Sequence, residues 1–422
     1  MKLIPLKTLL FQFSMLYRNT ILTYCFFIFS GIQGQTILNG FGIGYIQPRI
    51  DAASIGISST GLLPAFQSGV SLNNPVTWHD LHFAYISTMY GGNQVNQSED
   101  DIINGHSALT QFQFILPIKK KYIFGIGISP YASQYYNLTG IDTLANAKTL
   151  AGSGGINSLH ISFGQSSGRK ENFALAFDFL FGSSRMETIL TLDQTDYIYN
   201  QRNLFSGILA KLYVESSRIH FYQTPVHTYF AIQGSVKPLS VRSFSYQPVV
   251  RYGFNQVFPN PNKTPDPVQS HVTNVILPFE FQLGFDIELK EKVHILGEGT
   301  YWKDGTNKQT NFSILRHKVV STERISFGII RFAKNYSRSI MDFVHFRSGI
   351  FALRSVFDSR KNVDERGVSF GIGIKFGVTN NQIDFGYSII QRSGFNVDGE
   401  IIQKFRIGLS LGDIWFIKRR ER

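Results

Sequence analysis

Residues 368–377 read VSFGIGIKFG. In an extended chain, Val368, Phe370, Ile372, Ile374 and Phe376 share one face, and Ser369, Gly371, Gly373, Lys375 and Gly377 share the other. A period of two is the signature of a β-strand with two unlike surroundings. A run of about ten residues is what a strand needs to cross a bilayer, against about five or six in a soluble sheet. The pattern returns at Phe279, Phe281, Leu283, Phe285 and Ile287, set against Glu280, Gln282, Gly284, Asp286 and Glu288.

Working outward, about fourteen such segments begin near His79, Ser107, Tyr122, Ile156, Glu171, Ser217, Ser240, Asn274, Glu291, Arg324, Met341, Arg366, Asn381 and Ile401. Short turns are expected at 117–121, 166–170, 237–239, 290–292 and 378–380, with a longer one near 333–339. Long loops are expected near 91–106, 132–155, 182–216, 254–273, 303–323, 354–365 and 392–400. Short turns at one end and long loops at the other describe an up-and-down membrane barrel. A soluble sandwich or propeller would show neither the strand length nor the asymmetry.

In hydrocarbon every backbone polar group needs a partner, so strands cross only as a closed barrel. The apolar set then faces lipid, with Phe281, Phe285, Phe370, Phe376, Ile407 and Leu409 outward. The polar set faces the lumen, with Asp178, Glu280, Asp286, Glu288, Glu298, Lys375, Asp384 and Arg406 inward. Acids and bases together suggest a packed, ion-paired interior rather than a wide water channel. Pro225, Pro248 and Pro278 cannot donate to a ladder, so each belongs at a strand end or at a gap in the wall.

Composition agrees. Charged residues make up 17% of the 422, below the roughly 25% of a soluble domain, while Phe (38), Tyr (19) and Gly (38) abound. The net charge of +12 comes from scattered Lys and Arg, so nucleic acid is not an expected partner. Residues 1–34 read as a signal peptide: Lys2, Lys7 and Arg18 precede an apolar run from Ile21 to Ile32 and the small Gly34. Either Met1 or Met15 can start it. Cys25, the single cysteine, lies inside that apolar run, leaving a mature chain without thiols.

Residues 35–78 do not alternate. Gly40, Gly42, Gly44, Gly56 and Gly61, with Leu62, Leu63 and Phe66, suit a compact coil needing burial, and the lumen of a barrel spanning 79–422 is the container. A periplasmic extension is the rival placement. Enzyme chemistry leaves no trace: Gly125, Gly127, Gly371 and Gly373 lie inside strands as packing glycines rather than at a dinucleotide turn. There is no H-E-x-x-H among ten histidines and no G-x-S-x-G, so neither a metal, a cofactor nor catalysis is expected.

At 71–87, SLNNPVTWHDLHFAYIS, the chain resembles the FadL/TodX type of outer-membrane transporter for hydrophobic compounds. Asn74 and Pro75 match the first two residues of the Asn-Pro-Ala element that ends the hatch in that family; Val76 departs from it. The resemblance implies a hatch plugging a fourteen-strand barrel in the outer membrane. It also implies a third outer loop that carries helix and helps form a hydrophobic entry groove, so residues 203–214 (NLFSGILAKLYV) are expected as an amphipathic helix there. The activity implied is passive uptake of hydrophobic or amphipathic small molecules such as long-chain fatty acids, by a monomer in contact with outer-membrane lipid. Leu62, Leu63 and Phe66 would line the substrate pocket. A PorV-type shuttle or binding component of a secretion machine, or a purely structural barrel, would share the architecture.

Overall fold

A computed structural model describes residues 37–413 of the protein, apart from 97–102, 119–120, 142–146, 167–170, 194, 217–218, 222–223, 247, 253–255, 259–268, 291, 307–314, 316, 334–339, 378 and 396. The expected signal segment, residues 1–34, and the basic tail after Trp415 lie outside them.

The N-terminal part forms a coil carrying β1 (Tyr45–Ile46) and the short helix α1 (Ala52–Gly56). A 3-10 turn at Pro75–Asp80 leads into the wall. The wall begins with β2 (Ala84–Asn96), β3 (Ile103–Ile118) and β4 (Tyr122–Ser133). The short β5 (Tyr136–Ile141) folds back on β6 (Ala147–Ser166), followed by β7 (Asn172–Leu192) and β8 (Thr195–Glu215). After the small β9 (Ile219–Phe221), β10 (Thr224–Ser245) rises to β11 (Val249–Tyr252) and β12 (Gln256–Phe258). Then β13 (Gln269–Ile276) and β14 (Pro278–Lys290) descend end to end along β10 as one wall strand broken at Leu277. The remainder is β15 (Val293–Asp304), β16 (Val319–Arg331), β17 (Val344–Phe357), β18 (Asn362–Phe376), β19 (Asn381–Gly394) and β20 (Val397–Asp413).

β20 pairs with β2 from Ala84↔Asp413 to Asn96↔Ile401, closing an antiparallel barrel of fourteen wall strands. The faces sort as the alternation requires. Phe370 is 55% exposed and Ser369 beside it 1%; Phe281, Phe376 and Ile407 are also exposed, and Phe285 and Leu409 half-exposed. A belt of bare Phe, Ile and Leu is unfavourable in water and suits lipid.

The strand count of fourteen survives two boundary errors that cancel. Residues 203–214 are neither loop nor helix; they belong to β8. Asn203, Phe205, Leu209, Lys211 and Tyr213 are buried while Leu204 and Leu212 are exposed, a period of two. The lipid-facing Leu204, Ile208 and Leu212 are also four apart, and a spacing of four fits both a helix face and a strand face. Conversely, 237–239 is no turn. β10 runs through it with register shifts against β8 at Ser235/Lys237 and Lys237/Ser240.

β6, β7, β8 and β10 have 20, 21, 21 and 22 residues. At about 3.3 Å per residue they run to roughly 70 Å, well past what a tilted membrane strand requires. Along β7 the outward series changes from Phe173, Leu175, Phe179 and Phe181 to Ser183, Arg185 and Glu187. The wall leaves lipid at that change and continues outward as a raised flank.

The N-terminal coil packs against the inner faces of the wall. Ile57, Leu62 and Leu63 cluster with Ala174, Ala176, Ala231 and Leu296, and Phe66 and Trp78 with Tyr85, Met89 and Ile115. Glycine lets the backbones meet: a Cβ on Gly349 would stand 2.4 Å from the Ile57 carbonyl carbon, and one on Gly371 2.8 Å from Gly56 Cα. Asn74 explains the short motif. Its Oδ1 accepts from the Val76 amide at 3.2 Å, capping the turn that Pro75 begins, and its Nδ2 donates to the Leu62 carbonyl at 2.8 Å.

Candidate functional site

Above this coil lies a cavity of about 270 Å³. Tyr45, Ile46 and Leu62 of the coil and Tyr131, Trp302 and Phe351 of the wall give it an apolar lining. Charges interrupt that lining in pairs: Lys211 Nζ stands 2.8 Å from Glu280 Oε1, and His160 Nδ1 2.9 Å from Asp178 Oδ1, which also accepts from Ser158. Arg49, Arg324, Lys404 and Arg406 reach the same space. Tyr45 sits among them, its ring 5.2 Å from the Arg392 guanidinium and 5.4 Å from Lys404 Nζ. Burial, reinforced by the Glu365 carboxylate, pushes its hydroxyl up to about 12. Below, burial also raises the Asp51 carboxyl although the Ser54 amide and hydroxyl donate to it.

Of the three apolar residues expected around a pocket, Leu62 faces this cavity. Leu63 packs over Gly284, and Phe66 meets Tyr85 edge-on at 5.6 Å. Asn74 and Pro75 lie in the turn that enters β2, apart from the cavity.

A second cavity, about 620 Å³, opens in the wall between β3 and β4. Gly91, Gly92, His106, Ala108, Pro130 and Gly155 border it, and Gln47, Asn93, Thr110, Pro130 and Arg406 are shared with the first. The cause is local. β3 and β4 pair from Ile118↔Tyr122 only as far as Phe112↔Ile128; Pro130, two residues on, has no N–H, and the β4–β6 register slips between Pro130 and Ala132. β3 stays with β2, while the freed edge of β4 is taken by the coil: Tyr45 pairs with Ser133, Ile46 with Ala132, and the Gln47 amide donates to the Tyr131 carbonyl at 2.8 Å. Gln134 Nε2 donates to Gly42 O and Asn39 Nδ2 to Tyr135 O. His106 and Tyr135 stack at 5.6 Å.

Pro225, Pro248 and Pro278 do not make this opening. They are the second residue of β10, the residue before β11 and the first residue of β14. Pro130 was missed, although a proline within the alternating YIFGIGISPYAS of 122–133 was the available signal.

A family model described as BamG matches residues 16–421. The chain belongs to the BamG family. Among solved structures, this BamG-family chain is similar to the CymD monoaromatic hydrocarbon channel, with 12% identity, a TM-score of 0.53, and 90% of this chain and 99% of that one covered. A Pseudomonas aeruginosa FadL homologue gives 11% and 0.57, and the deltaS2 mutant of the TodX monoaromatic hydrocarbon channel 11% and 0.55, each covering 87% of this chain and 99% of that one. At such identity the likeness is one of fold, and as a likeness of fold the FadL/TodX resemblance holds. None of the curated proteins matches.

Proposed function

We propose that this BamG-family barrel is a passive outer-membrane channel for hydrophobic or amphipathic small molecules, including long-chain fatty acids, with the N-terminal coil as its hatch. The observation that carries the reading is the pair of adjoining cavities, one above the coil and one in the wall where β3 and β4 part. A molecule entering from outside would rest against Ile46, Leu62 and Trp302, then leave sideways past Pro130 into the membrane. The hydrocarbon channels of similar fold support the same substrate class.

The test is to fill the side opening. Ala108→Trp places an indole in the second cavity, and uptake of a fluorescent fatty acid into proteoliposomes should fall about tenfold or more while its equilibrium binding changes less than about twofold. Unchanged uptake would remove the side route. Binding itself should respond to Leu62: Leu62→Asp puts an unpaired charge on the cavity floor and should weaken fatty-acid affinity at least about tenfold. Leu63→Asp, under the wall at Gly284, should instead lower barrel stability.

A second reading, a binding component of a secretion machine, is favoured by the raised flank of β6, β7, β8 and β10, which offers surface beyond the membrane. Such a component would keep its activity in Ala108→Trp.

A further inference from the structure

The outer part of the lumen carries a charge imbalance. Arg392 on β19 bridges two carboxylates, Glu365 at 2.8 Å and Glu400 at 2.9 Å. Three more cations share the neighbourhood. Lys404 and Arg406 follow one another on the same face of β20, and Lys404 lies within electrostatic reach of Arg324, Arg392, Arg406 and Glu365. Among the described residues no carboxylate forms an ion pair with Arg324, Lys404 or Arg406. Arg324 donates through Nη2 to the Ser58 carbonyl at 2.9 Å and lies 4.0 Å over the Phe351 ring, while its Nε is buried without a partner. Arg406 Nη1 donates to the Phe405 and Gly92 carbonyls and to Asn93 Oδ1. The next carboxylate toward Arg324, Glu298, is occupied by Ser59 and Thr60.

Four cations stand against three carboxylates, Glu365, Glu400 and, toward Arg324, Glu298, which leaves one positive charge in excess and three cationic side chains outside any ion pair among the described residues. Arg324, Lys404 and Arg406 all line the cavity above the coil, whose lining also includes Ile46, Leu62, Tyr131 and Trp302. Crowded like charges without counter-ions favour binding an anion. A carboxylate head would supply one negative charge. A phosphate monoester supplies about −1.5 to −2 at neutral pH and three terminal oxygens, enough to meet three separate donors.

We propose that this cluster is a head-group site for a phosphate-bearing amphiphile, with Arg324, Lys404 and Arg406 holding the phosphate and the apolar residues of the same lining holding the chain. The proposal rests on the channel reading of the same cavity and narrows its substrate class.

Equilibrium binding of dodecyl phosphate, laurate and dodecanol to the purified full-length protein in a neutral maltoside detergent tests it. Dodecyl phosphate should bind at least about tenfold more tightly than either of the others. The preference should vanish in Lys404→Gln/Arg406→Gln, and survive in the charge-preserving Lys404→Arg/Arg406→Lys and in Arg354→Gln, an exposed residue paired with Asp364 elsewhere on the wall. Heat-dependent gel mobility would establish that each variant is folded. Equal affinity for dodecyl phosphate and laurate would overturn the phosphate assignment, as would a preference that persists in the folded double Gln variant. Inorganic phosphate displacing dodecyl phosphate at matching concentrations would make this a site for the free anion and overturn the amphiphile. If all three chains bind equally, the channel reading stands and the head-group site falls; if none binds, both fall.

Discussion

Arg347→Met is expected to destabilise the folded barrel by about 3–5 kcal/mol, the usual cost of removing one partner from a buried ion pair. The Arg347 side chain is fully buried, its Nη1 stands 2.7 Å from Asp384 Oδ1, and its Nε donates to the Ala65 carbonyl at 3.0 Å. One side chain thus ties the wall to the coil and neutralises a wall carboxylate. Without it, Asp384 keeps only Gln382 and faces the Asp51 carboxyl in a dry interior. Urea unfolding followed by tryptophan fluorescence and gel mobility measures the loss. Arg347→Met/Asp384→Leu, which removes both charges, should recover most of it. A single variant within about 1 kcal/mol of wild type would mean that the pair is solvated like a surface one.

Gly349→Val should separate coil from wall without breaking the wall. The strand around Gly349 is held on both sides, by Gly328 and by Ser369, so it has nowhere to retreat. A new Cβ would lie 2.4 Å from both the Ile57 carbonyl carbon and its oxygen, and backbone cannot rotate aside as a side-chain tip can. The coil must lift instead. Protease should then cut within 37–78 while the barrel core stays resistant, and single-channel conductance should rise from closed to open levels. Gly299→Val, where a Cβ meets nothing within 4 Å, is the control and should behave as wild type. A Gly349→Val barrel as resistant and as closed as wild type would show that the coil yields without losing its seat.

The wall was legible because lipid and lumen impose opposite preferences on successive residues, and residues such as Phe370 and Ser369 record both. Legibility failed where that contrast weakened. In β8 the inward Phe205 and Leu209 are as apolar as the outward Leu204 and Leu212, so alternation of side chemistry is lost though alternation of burial remains. The coil is different again. Leu62 and Leu63 are neighbours of one type, yet one faces the cavity and the other the wall, and this depends on a loop path that no period encodes. The charged cluster was half visible: Arg406 reads as inward, but its company with Arg324 and Glu365 arises from strand register across some eighty residues of chain. Asn74 was singled out by the family resemblance alone; that it caps the turn Pro75 begins is seen in the structure, although capping is local enough to have been read from the sequence.

The pairing of β1 with β4 makes the coil in effect a fifteenth strand of the wall. The amides and carbonyls of β4 above Pro130 find partners there that β3 no longer provides. A plug held only by side chains could drift away and leave the wall intact. This one, on leaving, would strand backbone groups of β4 at a cost of several kcal/mol each unless other partners reach them. Any open state must therefore be short-lived or must bring β3 back to the orphaned edge, so that the route through the wall closes by the same hydrogen bonds that the retreating coil gives up.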